Sequence, residues 1–452
     1  MANSHDTMFR GVLEGNKFDL APVLSDEEIR KRAQDLRDGK VLQNTQVDFE
    51  GEQVEKRQNW LASSKPRVYE KMMKYPEKLA NGESIAILQF QYDYLCNFDC
   101  EHCCIDKFYV PRSWEKASGR RKFELDDVRR LSKEADEMGL ANFVITGGEP
   151  LLLKEFDQLV KAIDPDKFFL ACDSNGWFLD HKRAKHLKSI GVDKMQLSLD
   201  GADENSHDTF RRKPGSWARV MKAIDACKEA DLHVILSTVI WKDRIYTEEW
   251  RSFLEFAKNK EIGTYIVYAK PVGAFEGVTE QMMTEKEGKI LQQFEEEYDV
   301  FTHMTPSYGR DIGCIAVKRM VSISRYGDIM PCPYQHVSLG NFFEEPLANI
   351  INRGLNIKWF DPKKNMPCIC GVDKGFIENV ISETYGDSEV PVRYDKVFTT
   401  DDFIDKNNIG TVSQDSGCGK EVETWKNAPL ITLKGKELET FDPIEESTKG
   451  GT

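Results

Sequence analysis

The chain has 452 residues, 40% of them hydrophobic and 31% charged, with a formal net charge of −14, which is the composition of a globular protein large enough for two or three domains. No run approaches the roughly 18 apolar residues of a membrane span, and the start MANSHDTMFRGVLEGNKFDL lacks the basic end and apolar stretch of a signal peptide. The expectation is therefore a cytoplasmic protein without a membrane or nucleic-acid partner, whose eleven cysteines are reduced.

In chain order, residues 1–84 are polar and helical in pattern, with Ser25 or Asp26 placed to cap a helix beginning near Glu27. They carry no catalytic signal. From Ile85 the pattern becomes alternating: strands are expected at 85–92, 142–146, 167–172, 194–199, 233–240 and 263–269. Between them lie helical stretches such as 125–138, with Val128, Leu131, Ala135 and Met138 on one face, and 155–163, with Phe156, Leu159, Val160 and Ile163. Six strands with a crossover after each of the first five predict an α/β fold, a partial (β/α)6 TIM-like barrel with its active-site loops at the carboxyl ends of the strands. Beyond Gly273 the alternation fades. The expected division is a helical N-terminal region at 1–84, the barrel at 85–273, a cysteine-bearing extension at 274–384 and a polar tail at 385–452, fraying at Glu445–Thr452.

The chemistry-bearing residues fall at the strand ends. Cys96-Asn97-Phe98-Asp99-Cys100-Glu101-His102-Cys103 follows the first strand. Three thiols spaced CxxxCxxC fit neither a disulfide framework nor two zinc-binding pairs, whereas three thiolates can hold three irons of a [4Fe–4S] cluster and leave the fourth open. Thr146-Gly147-Gly148-Glu149-Pro150 follows the second strand, Asn175-Gly176 the third, and Ser198-Leu199-Asp200-Gly201 ends the fourth. Paired glycines admit close approach of a ligand, and a neighbouring carboxylate can accept from an ammonium group.

The ordered set CxxxCxxC, GGEP and SLDG resembles the radical S-adenosylmethionine enzymes over residues 85–273. The resemblance implies that Cys96, Cys100 and Cys103 bind three irons of a [4Fe–4S] cluster and that S-adenosylmethionine chelates the fourth. One electron then cleaves the sulfonium, and the 5′-deoxyadenosyl radical takes hydrogen from substrate. By the same resemblance Gly147, Gly148 and Glu149 meet the methionine amino group; Asn175, Ser198 and Asp200 are candidates for ribose or carboxylate contacts; and Arg211, in His207-Asp208-Thr209-Phe210-Arg211, pairs with the carboxylate. His102 stands where the family has an aromatic residue near the adenine, the alternative being a packed or hydrogen-bonded histidine. An external low-potential donor such as flavodoxin or ferredoxin is implied.

Downstream, Cys314, twelve residues, Gly327, four residues and Cys332 are followed by Cys368-Ile369-Cys370. Four thiolates suit zinc as well as iron–sulfur. Placed after this barrel, C-x12-G-x4-C resembles the opening of the SPASM and twitch extensions, which hold auxiliary [4Fe–4S] clusters. The cysteine-rich run that completes a full SPASM region is missing, which favours a twitch-like form with one auxiliary cluster on Cys314, Cys332, Cys368 and Cys370, Cys418 being a possible substitute. Two [4Fe–4S] clusters in all are expected.

Cys172 and Cys227 read as core, and Cys104 has no ligand role by spacing. Tyr265, Tyr268 and Lys270, at the end of the sixth strand, are candidates for substrate contact or for structural roles. The family's extended members imply oxidation or cross-linking of a ribosomally made peptide, or oxidation or epimerisation of a small alcohol or sugar-derived substrate. A non-catalytic iron–sulfur electron carrier would leave GGEP and SLDG without purpose, and a zinc-stabilised binding module would leave the first triad unexplained.

Overall fold

The computed structural model describes residues 59–109, 119–298, 300–302, 313–364, 367–386 and 390–406. The helix expected near Glu27, Cys418 and the terminal Glu445–Thr452 lie outside these residues.

Two short helices, α1 (Pro66–Met73) and α2 (Tyr75–Ala80), precede the sheet. Each begins with a proline in its first turn, where a missing N–H costs nothing. They sit at the amino ends of the strands: Lys71 Nζ donates to the carbonyls of Leu140 and Lys167 at 2.8 and 2.7 Å, and Val68 is buried with Ala141 and Phe169. This region therefore closes the end of the sheet opposite the cysteine loop.

The six expected strands are present at β1 (Ile87–Asp93), β2 (Asn142–Gly147), β3 (Phe169–Ser174), β4 (Lys194–Ser198), β5 (His233–Ile240) and β6 (Thr264–Tyr268). They are parallel and neighbour one another in sequence order. The crossovers carry α3 (Leu125–Glu137), α4 (Phe156–Ile163), α5 (His181–Ser189), α6 (Glu204–Arg211), α7 (Ser216–Glu229) and α8 (Glu248–Asn259). Strand alternation sorts the side chains. Leu88, Phe90, Phe143, Ile145, Leu170, Cys172, Met195 and Leu197 are fully buried under the helices, while the residues between them face a cavity.

The sheet is wider than the six-stranded expectation. A short strand β7 (Val300–Thr302) adds parallel to β6, and β8 (Met320–Ile323), from the expected cluster extension, adds parallel to β1, followed by antiparallel β9 (Ile329–Met330). The order β7-β6-β5-β4-β3-β2-β1-β8-β9 makes the C-terminal region part of the same sheet. Strands of two to four residues carry too little periodic signal to be read from sequence.

Candidate active site

Cys96, Cys100 and Cys103 lie on the loop leaving β1 and line one cavity with Gly147, Gly148, Asn175, Ser198, Arg211 and His102. Burial, and then the neighbouring thiols of Cys104, Cys100 and Cys96, push the Cys103 thiol well above its ordinary range. The thiols of Cys96 and Cys100 thus lie near that of Cys103. A cation stands beside them: Arg211 Nη1 is 3.8 Å from Cys100 Sγ.

The two glycines of GGEP are explained by the protein itself. Gly148 N and Glu149 N donate to the carbonyls of Asp93 and Leu95 at 2.9 and 2.7 Å. A Cβ on Gly147 would fall 2.1 Å from Asp93 O, and one on Gly148 2.1 Å from Leu95 O. Gly147 also has φ +130°, which side-chain-bearing residues rarely adopt. Two strand ends are laced together here, and that fixes the start of the cysteine loop.

Glu149, expected at the methionine amino group, is 2% exposed and is turned into the protein. Its Oε1 accepts from Ser174 Oγ at 2.8 Å and Leu151 N at 3.1 Å, and its Oε2 from Asn175 N at 2.8 Å. Burial outweighs these donors and raises its carboxyl to about 7. It holds the turn after β3 against the turn after β2. Asn175 in turn donates from Nδ2 to Asn97 Oδ1 at 2.8 Å, inside the cysteine loop, and lines the cavity.

Asp200, a candidate for ribose or carboxylate contact, is engaged within the protein. Its Oδ2 accepts from Arg211 Nε at 2.6 Å and its Oδ1 from Val239 N at 2.9 Å and Thr238 Oγ1 at 3.2 Å. Burial alone would raise its carboxyl; the Arg211 guanidinium, with Arg244, outweighs burial and holds it below the usual carboxylate range. The pair aims Arg211 at the cysteine loop. Arg244 supports it by donating to the Asp200 carbonyl.

His102 stacks on Phe210, with ring centroids 4.6 Å apart and planes 4° apart, and Phe210 stacks on Trp241 at 5.4 Å. Burial pushes its imidazole down to about 3, so it is neutral at ordinary pH. Its Nδ1 is buried without a hydrogen-bond partner, and the ring lines the cavity. The ring is thus packed, one of the two roles the sequence offered, and also faces the cavity.

Cys314, Cys332, Cys368 and Cys370 are all buried and gathered together. The Cys370 thiol is raised by a hydrogen bond with Cys332 and also meets Cys368; Cys314 is pushed up to about 11 by burial and by Cys368. Among the described residues no group of three His, Cys, Asp or Glu side chains is placed to hold a metal ion.

The two cysteine groups share a wall. Lys270 lines the cavity, donates to Tyr268 O at 2.6 Å and lies 4.5 Å from the Tyr334 ring centroid; its Cε is 3.5 Å from where a Cβ on Gly371, the residue after Cys370, would stand. Tyr265 and Tyr268 line the cavity too. Sequence reasoning missed Phe210, Arg244, Asn97 and Tyr334, whose roles depend on contacts between distant segments. Asp173 and Lys194 were legible in principle, since strand alternation alone points them inward.

Residues 94–257 match the radical SAM superfamily, and residues 314–371 match the SPASM iron–sulfur cluster-binding domain. The chain is 22% identical over 332 residues to the AdoMet-dependent heme synthase of Nitratidesulfovibrio vulgaris, covering 66% of this chain and 87% of that one. It is 34% identical over 182 residues to the GTP 3′,8-cyclase of Campylobacter jejuni, covering 40% and 54%. Among solved structures, Streptococcus suis SuiB bound to precursor peptide SuiA superposes over 72% of this chain and 78% of that one, with TM-score 0.46 and 18% identity. With S-adenosylmethionine and [4Fe–4S] clusters as the cofactors that the two matched domains imply, the chain carries a radical SAM domain at 94–257 and a SPASM-type iron–sulfur domain at 314–371.

Proposed function

We propose that this protein is a radical SAM oxidoreductase in which Cys314, Cys332, Cys368 and Cys370 hold an auxiliary [4Fe–4S] cluster that takes an electron from the substrate side. When bound at Cys96, Cys100 and Cys103, the first cluster and S-adenosylmethionine supply one-electron, hydrogen-abstracting chemistry. The chain's own residues set the stage for it. Gly147 and Gly148 line the cavity and fix the start of the cysteine loop, Arg211 places a positive charge beside Cys100, and His102, backed by Phe210 and Trp241, walls one side of the cavity. The observation that carries the proposal is Lys270: it borders the cavity on one side and the Cys370–Gly371 segment on the other, so one side chain separates substrate space from the second thiol group. The substrate is read as a small molecule in preference to a ribosomally made peptide. Support comes from the heme synthase and GTP cyclase relatives, both named for small molecules.

The test is a Cys314→Ala/Cys332→Ala double variant of the anaerobically reconstituted protein. Iron should fall from about eight to about four per chain, product formation should stop, and uncoupled cleavage of S-adenosylmethionine should persist. Full iron content in the variant overturns the assignment. Iron loss with continued turnover leaves the second cluster a structural role only.

A further inference from the structure

A barrel-like parallel sheet normally fills its inner face with branched aliphatic side chains. This one does not. Gln89 and Gln91 on β1, Thr146 on β2, Asp173 on β3 and Lys194 and Gln196 on β4 all face the cavity. They sit on adjacent strands in matching layers, Gln91 beside Thr146 and Asp173 beside Gln196. Each buried polar group left without a partner costs about 1–3 kcal/mol, so such a lining is retained for something that pairs with it.

The unpaired atoms have a sign. Asp173 accepts from Gln89 and Thr146, which leaves the Gln89 amide oxygen pointing away from it, and Gln89 Oε1 is buried with no partner. Gln91 is 1% exposed; its Nε2 donates to Ser322 Oγ at 3.0 Å and its Oε1 is likewise unpartnered. Burial pushes the Asp173 carboxyl up to about 6 despite Lys194, Gln89 and Thr146, so it too gains from a new donor. The cavity offers surplus acceptors, and it reaches from the cysteine loop to Tyr334 and Lys270.

We propose that Asp173, Gln89 and Gln91 form a substrate subsite for the hydrogen-bond-donating end of a small polar molecule, an amine or hydroxyl group, held between the two cysteine groups. This deepens the reading above and rests on its assignment of a small-molecule substrate. Lys194 sets the limit of the site's preference: one cation beside Asp173 is already matched, so the open valences belong to the two amide oxygens and the carboxylate's remaining lone pairs.

The experiment is equilibrium binding to the reconstituted holoenzyme with S-adenosylmethionine present, using three probes of similar size: glucosamine, myo-inositol and cyclohexanecarboxylate. Glucosamine or myo-inositol should bind at least about tenfold tighter than the carboxylate, the factor expected for one hydrogen bond to a charged group. Tighter glucosamine assigns the site to an amine, and tighter myo-inositol to a hydroxyl. Gln89→Leu and Asp173→Asn should each weaken the better probe about tenfold or more, with iron content and melting temperature recorded to show that the variants fold. Preferred binding of the carboxylate, no binding of either donor probe, or unchanged affinity in both variants overturns the proposal. The radical SAM assignment is judged separately, by iron loss in the Cys96/Cys100/Cys103→Ala variant.

Discussion

Arg211 is shared between Asp200 and the cysteine loop: Nε donates to Asp200 Oδ2 at 2.6 Å while Nη1 lies 3.8 Å from Cys100 Sγ. Breaking a buried pair by removing one partner costs about 3–5 kcal/mol, because the other charge is left uncompensated. Asp200→Leu should lower the stability of the protein by about that amount in urea unfolding. Adding Arg211→Met should restore part of it, since the stranded charge is then gone. If the double variant is no more stable than Asp200→Leu alone, the pair is not the reason for the loss.

Gly148 and Gly288 make opposite forecasts for the same substitution. A Cβ at Gly148 would meet Leu95 O at 2.1 Å, and backbone cannot yield as a side-chain end can, so Gly148→Ala should destabilise by about 1–3 kcal/mol or more and reduce iron uptake at the first site. Gly288 lies in the helix Glu285–Glu297, and a Cβ added there would meet nothing within 4 Å, so Gly288→Ala should stabilise by up to about 1 kcal/mol. Paired thermal melts and iron assays decide it.

Glu149 should act on stability before it acts on cofactor affinity. Glu149→Ala strands the Ser174 hydroxyl and the N–H groups of Leu151 and Asn175, a cost on the order of 3 kcal/mol. Its carboxyl is raised to about 7 by burial, above the ordinary value near 4.5. Between those values the folded protein holds a proton that the unfolded chain releases, so this contribution to stability falls as pH rises from about 4.5 to about 7. In Glu149→Gln that slope should be absent. An identical pH profile in wild type and variant would falsify the account.

His336 titrates in the opposite sense. It is 2% exposed, meets the edge of Phe108 at 4.8 Å and bonds the backbone of Pro333 and Cys104; burial pushes it down to about 3. Below pH 6.5 the unfolded chain takes a proton that the folded one refuses. Stability from this group is therefore complete above about 6.5 and is lost as pH falls toward 3, by about 2 kcal/mol at pH 5. Urea titrations at pH 7 and pH 5 should show a smaller difference in His336→Gln than in wild type.

The parallel strands β1 to β6 were legible because each combines an apolar run with a helical crossover of matching period, as at Val128, Leu131 and Ala135. The cysteine loop and the glycines were legible as residue types. Their partners were not. That Gly148 yields to Leu95, that Glu149 serves Ser174 and Asn175, and that Asp200 holds Arg211 are all contacts between different segments, and a motif records which residue is needed without recording whether ligand or protein needs it. β7, β8 and β9 were missed for a simpler reason: two to four residues do not display a period.

The pairing of β8 with β1 binds the cysteine-bearing extension to the first strand of the sheet. Ile87 stands beside Met320 and Phe90 beside Ile323, so a contact spanning more than two hundred residues must close before the strand that launches the cysteine loop has neighbours on both sides. A chain shortened after residue 302 would leave β1 as a naked sheet edge, with its N–H and C=O groups free to recruit another molecule. Such a truncation is expected to aggregate, and swapping extensions between relatives would have to carry Met320–Ile323 along with the cysteines.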